Sequence, residues 1–305
     1  MAMVEHFKQG RLRWINLKNP TKEEIKKAVT ELGLSPALTA DLVAPVRKSI
    51  ATISDETIKI TLDFPVVKKL SVFHAYEVKF LVSKNSLLTV QYDEMQGIDK
   101  FKRKFEVAAT LNKKKKNMTG VHLFLSLMAN LYESVDSKLD YLDSRLLEME
   151  TEIFENNEKK MVYEISKASK KLIAFKHTMH SHDKIFRDAQ PMFEKLYNSS
   201  YKRDIKSIHE LYLYLQRRAD SMYETLTALR ETNAAMLTTK QNEVMKTLTI
   251  LAFITFPLTL FSSLFGMNTI DTPIVGSGGD FWIILGGMIA AAILFFAYFK
   301  GKGWM

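Results

Sequence analysis

Hydrophobic and polar positions along this chain change their period twice. Between Leu12 and Glu106 the apolar residues come in short runs suited to strands, with a helical stretch between them. Leu12-Arg-Trp-Ile-Asn-Leu17 reads as a strand. Ile58-Lys-Ile-Thr-Leu-Asp-Phe64 and the run from Tyr76 to Val82 alternate at period two, and Leu87 to Tyr92 follows a turn at Lys84-Asn85. Pro20 and Thr21 open a helix from Lys22 to Leu32, with Glu23 and Glu24 in its first turn, where the helix dipole favours acids. These elements predict an α/β domain with a small sheet over residues 1–120.

Beyond it, strand signals stop. No Gly or Pro occurs from Val121 to Gln190, and none from Met192 to Phe256. Two helical stretches longer than an ordinary globular helix are expected over a helical region, 121–246. The second runs unbroken into an apolar segment and, if continuous, is roughly 90 Å long at ~1.5 Å per residue. That is the outline of a stalk.

The last pattern is two uncharged runs, Thr247 to Phe265 and Phe281 to Phe299, each about 19 residues and roughly 28 Å long as a helix. Asp271 and Asp280 are the only charges between Thr247 and Phe299. Two buried core helices would give similar runs, but two in tandem without a charge point to a membrane. A domain at 247–305 is therefore predicted, with spans at about 247–265 and 281–299 and a linker at 266–280. Lys246 precedes the first span, and Lys300 and Lys302 follow the second, so the positive-inside rule places both termini in the cytoplasm and the linker outside. Trp282, Tyr298 and Trp304 lie where an interfacial aromatic belt would. Gly286-Gly287 and Ala290-Ala291-Ala292 give the second helix a small-residue face.

Charge and composition narrow the function. The net charge of +9 resides almost wholly before Lys246, and attraction to anionic lipid on the cytoplasmic face accounts for it without a nucleic acid partner. The absence of cysteine excludes disulfides and thiolate metal sites. The α/β part holds no Gly-rich phosphate loop, nucleophile elbow or zinc-ligand spacing, so no enzyme and no resident cofactor is expected. Met1 to Gly10 lacks a signal-peptide core, which fits a soluble part that stays in the cytoplasm.

Asn242, Met245, Thr249, Ala252, Phe256, Thr259 and Ser263 recur three and four apart, a seven-residue repeat that keeps one stripe facing a common axis. Its mixture of small, polar and bulky apolar residues fits an aqueous path with apolar constrictions, and also fits a close helix contact lined with small residues.

Phe265-Gly266-Met267-Asn268 ends the first of the two C-terminal spans. In that position Gly266-Met267-Asn268 resembles the signature of the CorA family of magnesium and cobalt transporters. The resemblance extends through Asn242-Glu-Val-Met-Lys-Thr-Leu-Thr249 and Pro257-Leu-Thr259. At the other end it takes in Trp14-Ile-Asn-Leu17, Pro20-Thr21 and Glu23-Glu24-Ile25. It implies an α+β membrane protein: a homopentamer with a cytoplasmic α/β funnel, a stalk helix that becomes the pore, and an outer second helix in the cell (inner) membrane. It implies passive transport of Mg²⁺, with Co²⁺ and Ni²⁺ also carried, and no ATP use.

On that reading Gly266, Met267 and Asn268 form the selectivity filter. Five Asn268 amides would hydrogen-bond the waters that Mg²⁺ holds tightly. Asn242 and Thr259 become further rings for the hydrated ion, and Met245, Leu248 and Phe256 the apolar gate. Leu248 lies off the strict stripe and rests on the resemblance alone. Asp271 and Asp280 would concentrate cations at the mouth.

The family's Met-Pro-Glu-Leu loop segment is here Thr272-Pro273-Ile274-Val275. The family's terminal lysine run is thinned to Lys300-Gly-Lys302-Gly-Trp304-Met305. Ser207 stands where a Mg²⁺-sensing stalk carboxylate is expected, leaving Asp204, one turn away, and Asp99 as regulatory candidates. The acidic residues Glu148, Glu150, Glu152, Glu155 and Glu158 and the lysines from Lys113 to Lys116 read more simply as solvated surface. His177, His180 and His182 read as ordinary surface histidines. Two rival readings remain: a zinc transporter of the same superfamily, disfavoured by Met267, and a membrane-anchored scaffold without transport.

Overall fold

The computed structural model describes residues 3–46, 48–68, 72–111, 118–197, 199–268, 274–276 and 278–304. The chain divides into two compact units, Met1–Arg230 and Glu231–Met305.

The first unit is built on a six-stranded sheet. Its strands are β1 (Met3–Gln9), β2 (Leu12–Lys18), β3 (Ile50–Ser54), β4 (Thr57–Lys68), β5 (Val72–Val82) and β6 (Ser86–Gln91), in the spatial order β1-β2-β6-β5-β4-β3. Only β2 and β6 pair in parallel; the other neighbours are antiparallel hairpins. Positive φ at Gly10 and Asp55 closes the β1–β2 and β3–β4 turns, with glycine and aspartate at positions that larger residues avoid.

Alternation along the strands sorts the two faces. Ile15, Leu17, Leu81, Leu88 and Val90 form a buried cluster with Ile25, Ala28 and Val29 of helix α1 (Lys22–Glu31). Thr21 and Glu24 form a capping box at its start: the Glu24 N–H donates to Thr21 Oγ1 at 3.3 Å and the Thr21 N–H to Glu24 Oε2 at 2.7 Å. On the other face Trp14, wholly buried, donates from Nε1 to Thr89 Oγ1 at 3.1 Å. It packs edge-on against Phe101 and Phe105 of α2 (Gln96–Leu111).

Two further helices follow, α3 (Gly120–Phe154) and α4 (Glu158–Tyr197). Gly120 is wedged under the β5–β6 turn. A Cβ there would stand 2.2 Å from the Ser83 carbonyl oxygen and 2.4 Å from that of Ser86, while the Gly120 N–H donates to Lys84 O at 2.9 Å. The break between α3 and α4 uses no glycine or proline. Asn156 takes φ +69, a left-handed conformation that asparagine tolerates, and ends the helix that the breaker-free window from Val121 predicted to continue. Pro191 lies inside α4, at the loss of one backbone hydrogen bond. The break comes later, at the 3₁₀ turn Ser199–Tyr201. Three long helices thus replace the two expected. The sequence reading also omitted β1, β3 and α2.

Helix α5 (Lys202–Phe265) has 64 residues, roughly 96 Å at ~1.5 Å per residue, and is continuous through Pro257. Within the first unit it runs antiparallel to α4. The register is fixed by Lys202–Glu194 at 3.5 Å, His209–Asp183 at 2.8 Å, Lys176–Asp220 at 2.6 Å and Arg230 Nη2 donating to Ser169 Oγ at 3.2 Å. Arg218 bridges to α3, donating to Asp136 at 2.5 Å and Asp140 at 2.6 Å.

The second unit holds the remainder of α5 and helix α6 (Asp280–Gly301). Both are long and apolar enough to cross a membrane, and almost none of either apolar window is buried within the protein. Phe253 and Phe299 bring the two helices together, with ring centroids 6.3 Å apart.

Candidate functional site

The Gly266-Met267-Asn268 segment caps α5 with a tightening turn. The Gly266 N–H donates to Ser262 O at 3.0 Å and the Met267 N–H to Leu264 O at 3.4 Å. Gly266 does not adopt positive φ, so the helix end needs no glycine for its own conformation. A Cβ there would meet the Ser262 carbonyl at 3.2 Å. Met267 and Asn268 are exposed.

Below them the stripe keeps its coherence because α5 is unbroken. At ~100° per residue Asn242, Met245, Thr249, Ala252, Phe256, Thr259 and Ser263 fall within an arc of about 100°, and Leu248 lies about 20° outside it. All are exposed except Ala252, which is half-buried, and Phe256 is 73% exposed. The Thr249 hydroxyl donates to Met245 O at 2.8 Å and the Thr259 hydroxyl to Thr255 O at 2.9 Å. With the hydrogen committed to the helix backbone, each oxygen offers its remaining lone pairs outward as an acceptor. This directionality was not legible in the sequence, which shows a threonine but not where its proton goes.

Asp271 lies outside the described residues, as do Thr272, Pro273 and the lysines from 113 to 116. Asp280 begins α6 and accepts from the Gly276 N–H at 3.0 Å and the Phe281 N–H at 2.7 Å.

The other candidates lie apart from this helix end. Asp99 on α2 is bound to Lys18 Nζ at 2.5 Å, beside a buried Glu5 that Lys102 holds at 2.8 Å. Burial would raise the Glu5 carboxyl, but hydrogen bonds from Lys102 and Asn16 outweigh it and hold the group below the usual range. Asp204 and Ser207 are exposed on α5. Among the described residues no three His, Asp or Glu side chains come together as a metal site. The acidic run is not one solvated face: Glu158 is buried, Glu152 pairs with Lys160 and Glu148 with Arg145.

His177 and His180 are exposed, but His182 is not a surface residue. It is fully buried, donating from Nε2 to the Asp63 carbonyl at 2.7 Å, so Nδ1 accepts from the Tyr132 hydroxyl at 2.8 Å. Burial pushes its pKa down to about 4, partly offset by that carbonyl. Its sequence spacing gave no sign of this, because the partners come from β4 and α3.

A sheet-based unit, a continuous membrane-length helix and an exposed Gly-Met-Asn end define the outline of a membrane protein with two candidate spans and a large unit outside them. The chain belongs to the family described as CorA-like Mg²⁺ transporter protein, whose profile matches residues 9–300. The cobalt/magnesium transport protein CorA of Thermotoga maritima is 24% identical over 298 residues, covering 96% of this chain and 83% of that one. The protein of the same name from Methanocaldococcus jannaschii is 22% identical over 310 residues, covering 98% and 93%. The complete structure of the CorA magnesium transporter from Methanocaldococcus jannaschii superimposes with a TM-score of 0.82 at 18% identity, over 98% of this chain and 93% of that one. The full-length CmaX protein does so at 0.69 and 12% identity, over 95% and 88%. These likenesses show a shared fold.

Proposed function

We propose that this chain is one subunit of a homopentameric channel that passes hydrated Mg²⁺ through the cell (inner) membrane, with Co²⁺ and Ni²⁺ as further cargo. Both termini lie in the cytoplasm, residues 1–120 and 121–246 form the cytoplasmic parts, and 247–305 form the membrane part. The observation that carries the reading is the stripe of exposed acceptors on a membrane-length helix that ends in Gly266-Met267-Asn268. The relatives' names, cobalt/magnesium transport protein, support the choice of cargo.

The chemistry follows from the hydration of the ion. Mg²⁺ dehydrates reluctantly, so a filter that strips its waters would be slow. Those waters point their hydrogens outward. A ring of Asn268 carbonyl oxygens, and below it rings of Thr259 and Thr249 oxygens, meets them with acceptors. Phe256 and Met245, with Leu248 beside them, narrow the path with apolar groups that close it by expelling water. No catalysis is needed. A divalent ion gains about 4.6 kcal/mol per 100 mV of inside-negative potential, equivalent to roughly three orders of magnitude in concentration.

Uptake into proteoliposomes, compared across Mg²⁺, Co²⁺, Ni²⁺ and Zn²⁺, tests the proposal. Mg²⁺ uptake abolished by Asn268→Ala is expected. Uptake unchanged in that variant sinks the filter, and Zn²⁺ uptake that grows with a proton gradient while Mg²⁺ is refused replaces the channel with a zinc transporter.

A further inference from the structure

The second unit contains an apolar cleft of about 810 Å³, walled by Phe253, Leu294, Tyr298, Phe299 and Trp304. Its far wall is made by the way α6 ends. Gly303 takes φ +69, its N–H donates to Lys300 O at 3.1 Å, and the Trp304 N–H reaches back to Phe299 O at 3.1 Å. This is a Schellman turn, and its usual apolar contact is present: the Trp304 ring stacks on Phe299 with centroids 5.9 Å apart. The chain therefore folds Trp304 back beside the cleft. Phe253, Leu294 and Tyr298 remain well exposed along it.

Three lysines belong to this turn or reach it. Lys300 and Lys302 flank it in sequence, and Lys246 of α5 reaches the Gly303 carbonyl with Nζ at 3.4 Å. No acidic residue lies between Lys300 and the chain end, and on α5 the nearest, Glu243, is a turn before Lys246. A largely apolar slot walled by an indole, with Lys246 against the turn that closes it and Lys300 and Lys302 next to that turn in the chain, is complementary to an acyl chain carrying an anionic headgroup.

We propose that this cleft is a binding site for an anionic phospholipid of the cytoplasmic leaflet, its acyl chain along Phe253, Leu294 and Tyr298 and its phosphate at Lys246, Lys300 and Lys302. The inference rests on the membrane reading above and adds a specific lipid to it. A zwitterionic lipid would fill the slot equally well but would gain nothing from the lysines.

Trp304 reports on its own site. Full-length protein carrying Trp282→Phe, with and without Trp304→Phe, is reconstituted into phosphatidylcholine vesicles. These contain a small fraction of acyl-brominated phosphatidylglycerol or acyl-brominated phosphatidylcholine. The fluorescence difference between the two proteins isolates Trp304. Brominated phosphatidylglycerol is expected to quench it about fivefold more strongly than brominated phosphatidylcholine at equal mole fraction, and Lys246→Gln/Lys300→Gln/Lys302→Gln to remove that preference. Equal quenching by the two lipids overturns the site and leaves ordinary boundary lipid. No quenching by either also overturns it, since a neighbouring subunit then covers the cleft. Protein that fails to float with the vesicles sinks the membrane reading together with the site, whereas the other two failures leave that reading intact.

Discussion

Among the described residues up to Arg230 most large apolar side chains turn inward, and from Glu231 onward most turn outward. Trp14, Phe64, Phe80 and Tyr132 are fully buried in the first unit, whereas Phe256, Trp282 and Leu294 are each at least 70% exposed in the second. Among the described residues of the second unit only Asn233, Ile250 and Phe299 are buried. One chain thus follows the hydrophobic effect in two solvents. Buried polar groups of the first unit reach partners distant in sequence, as His182 does with Asp63 and Tyr132. Its helical threonines, like Thr249, Thr255 and Thr259 of α5, turn back to their own backbone one turn away.

The sharpest way to break this comparison is at the end of α5. Asn268→Ala is expected to reduce Mg²⁺ uptake to background while the unfolding midpoint of the protein stays where it was. A lowered midpoint would make Asn268 a structural residue. Next come paired tryptophan truncations. Trp14→Ala is expected to destabilise the first unit by about 3–5 kcal/mol, read as a shift in denaturant midpoint, because it empties a closed core. Trp304→Ala should change that midpoint by no more than about 0.5 kcal/mol.

A pH titration probes the buried network. His182 has its pKa lowered from 6.5 to about 4 in the folded protein, so the unfolded chain binds more protons between those values. Stability is therefore full above pH 6.5 and falls as pH drops toward 4, by about 3 kcal/mol from this group. The difference between wild type and His182→Gln isolates it, and parallel stability–pH curves for the two would refute the assignment. Arg218→Ala, which frees Asp136 and Asp140, should cost about 1 kcal/mol, less at high salt. The smallest effect is at the start of α6: Asp280→Asn is expected to slow uptake by less than about twofold, and only at low ionic strength.

What the sequence disclosed differs between the two units for a physical reason. In the second unit the apolar windows are hardly buried within the protein, so charge absence and length alone located both apolar helices. In the soluble part, β2, α1 and β4 to β6 were legible because each carries its own signal, such as the Thr21–Glu24 cap. The α3–α4 break was not, since Asn156 resembles a helix residue until its φ is known. Pro191 misled in the other direction, because packing along α4 tolerates a missing bond. His182 was misplaced because its burial depends on which turn of α4 meets β4. At the site, Gly266, Met267 and Asn268 were legible as a motif, but the acceptor orientation of Thr249 and Thr259 was not.

Gly120 carries a mechanical consequence. With space for one hydrogen atom and none for a methyl group against the Ser83 and Ser86 carbonyls, α3 enters the molecule like a beam set into masonry. Its 35 residues make roughly 50 Å of helix with a fixed root. A force applied far along that beam has no swivel to act on, so it must be spread as curvature over many turns or transmitted into the β5–β6 turn itself.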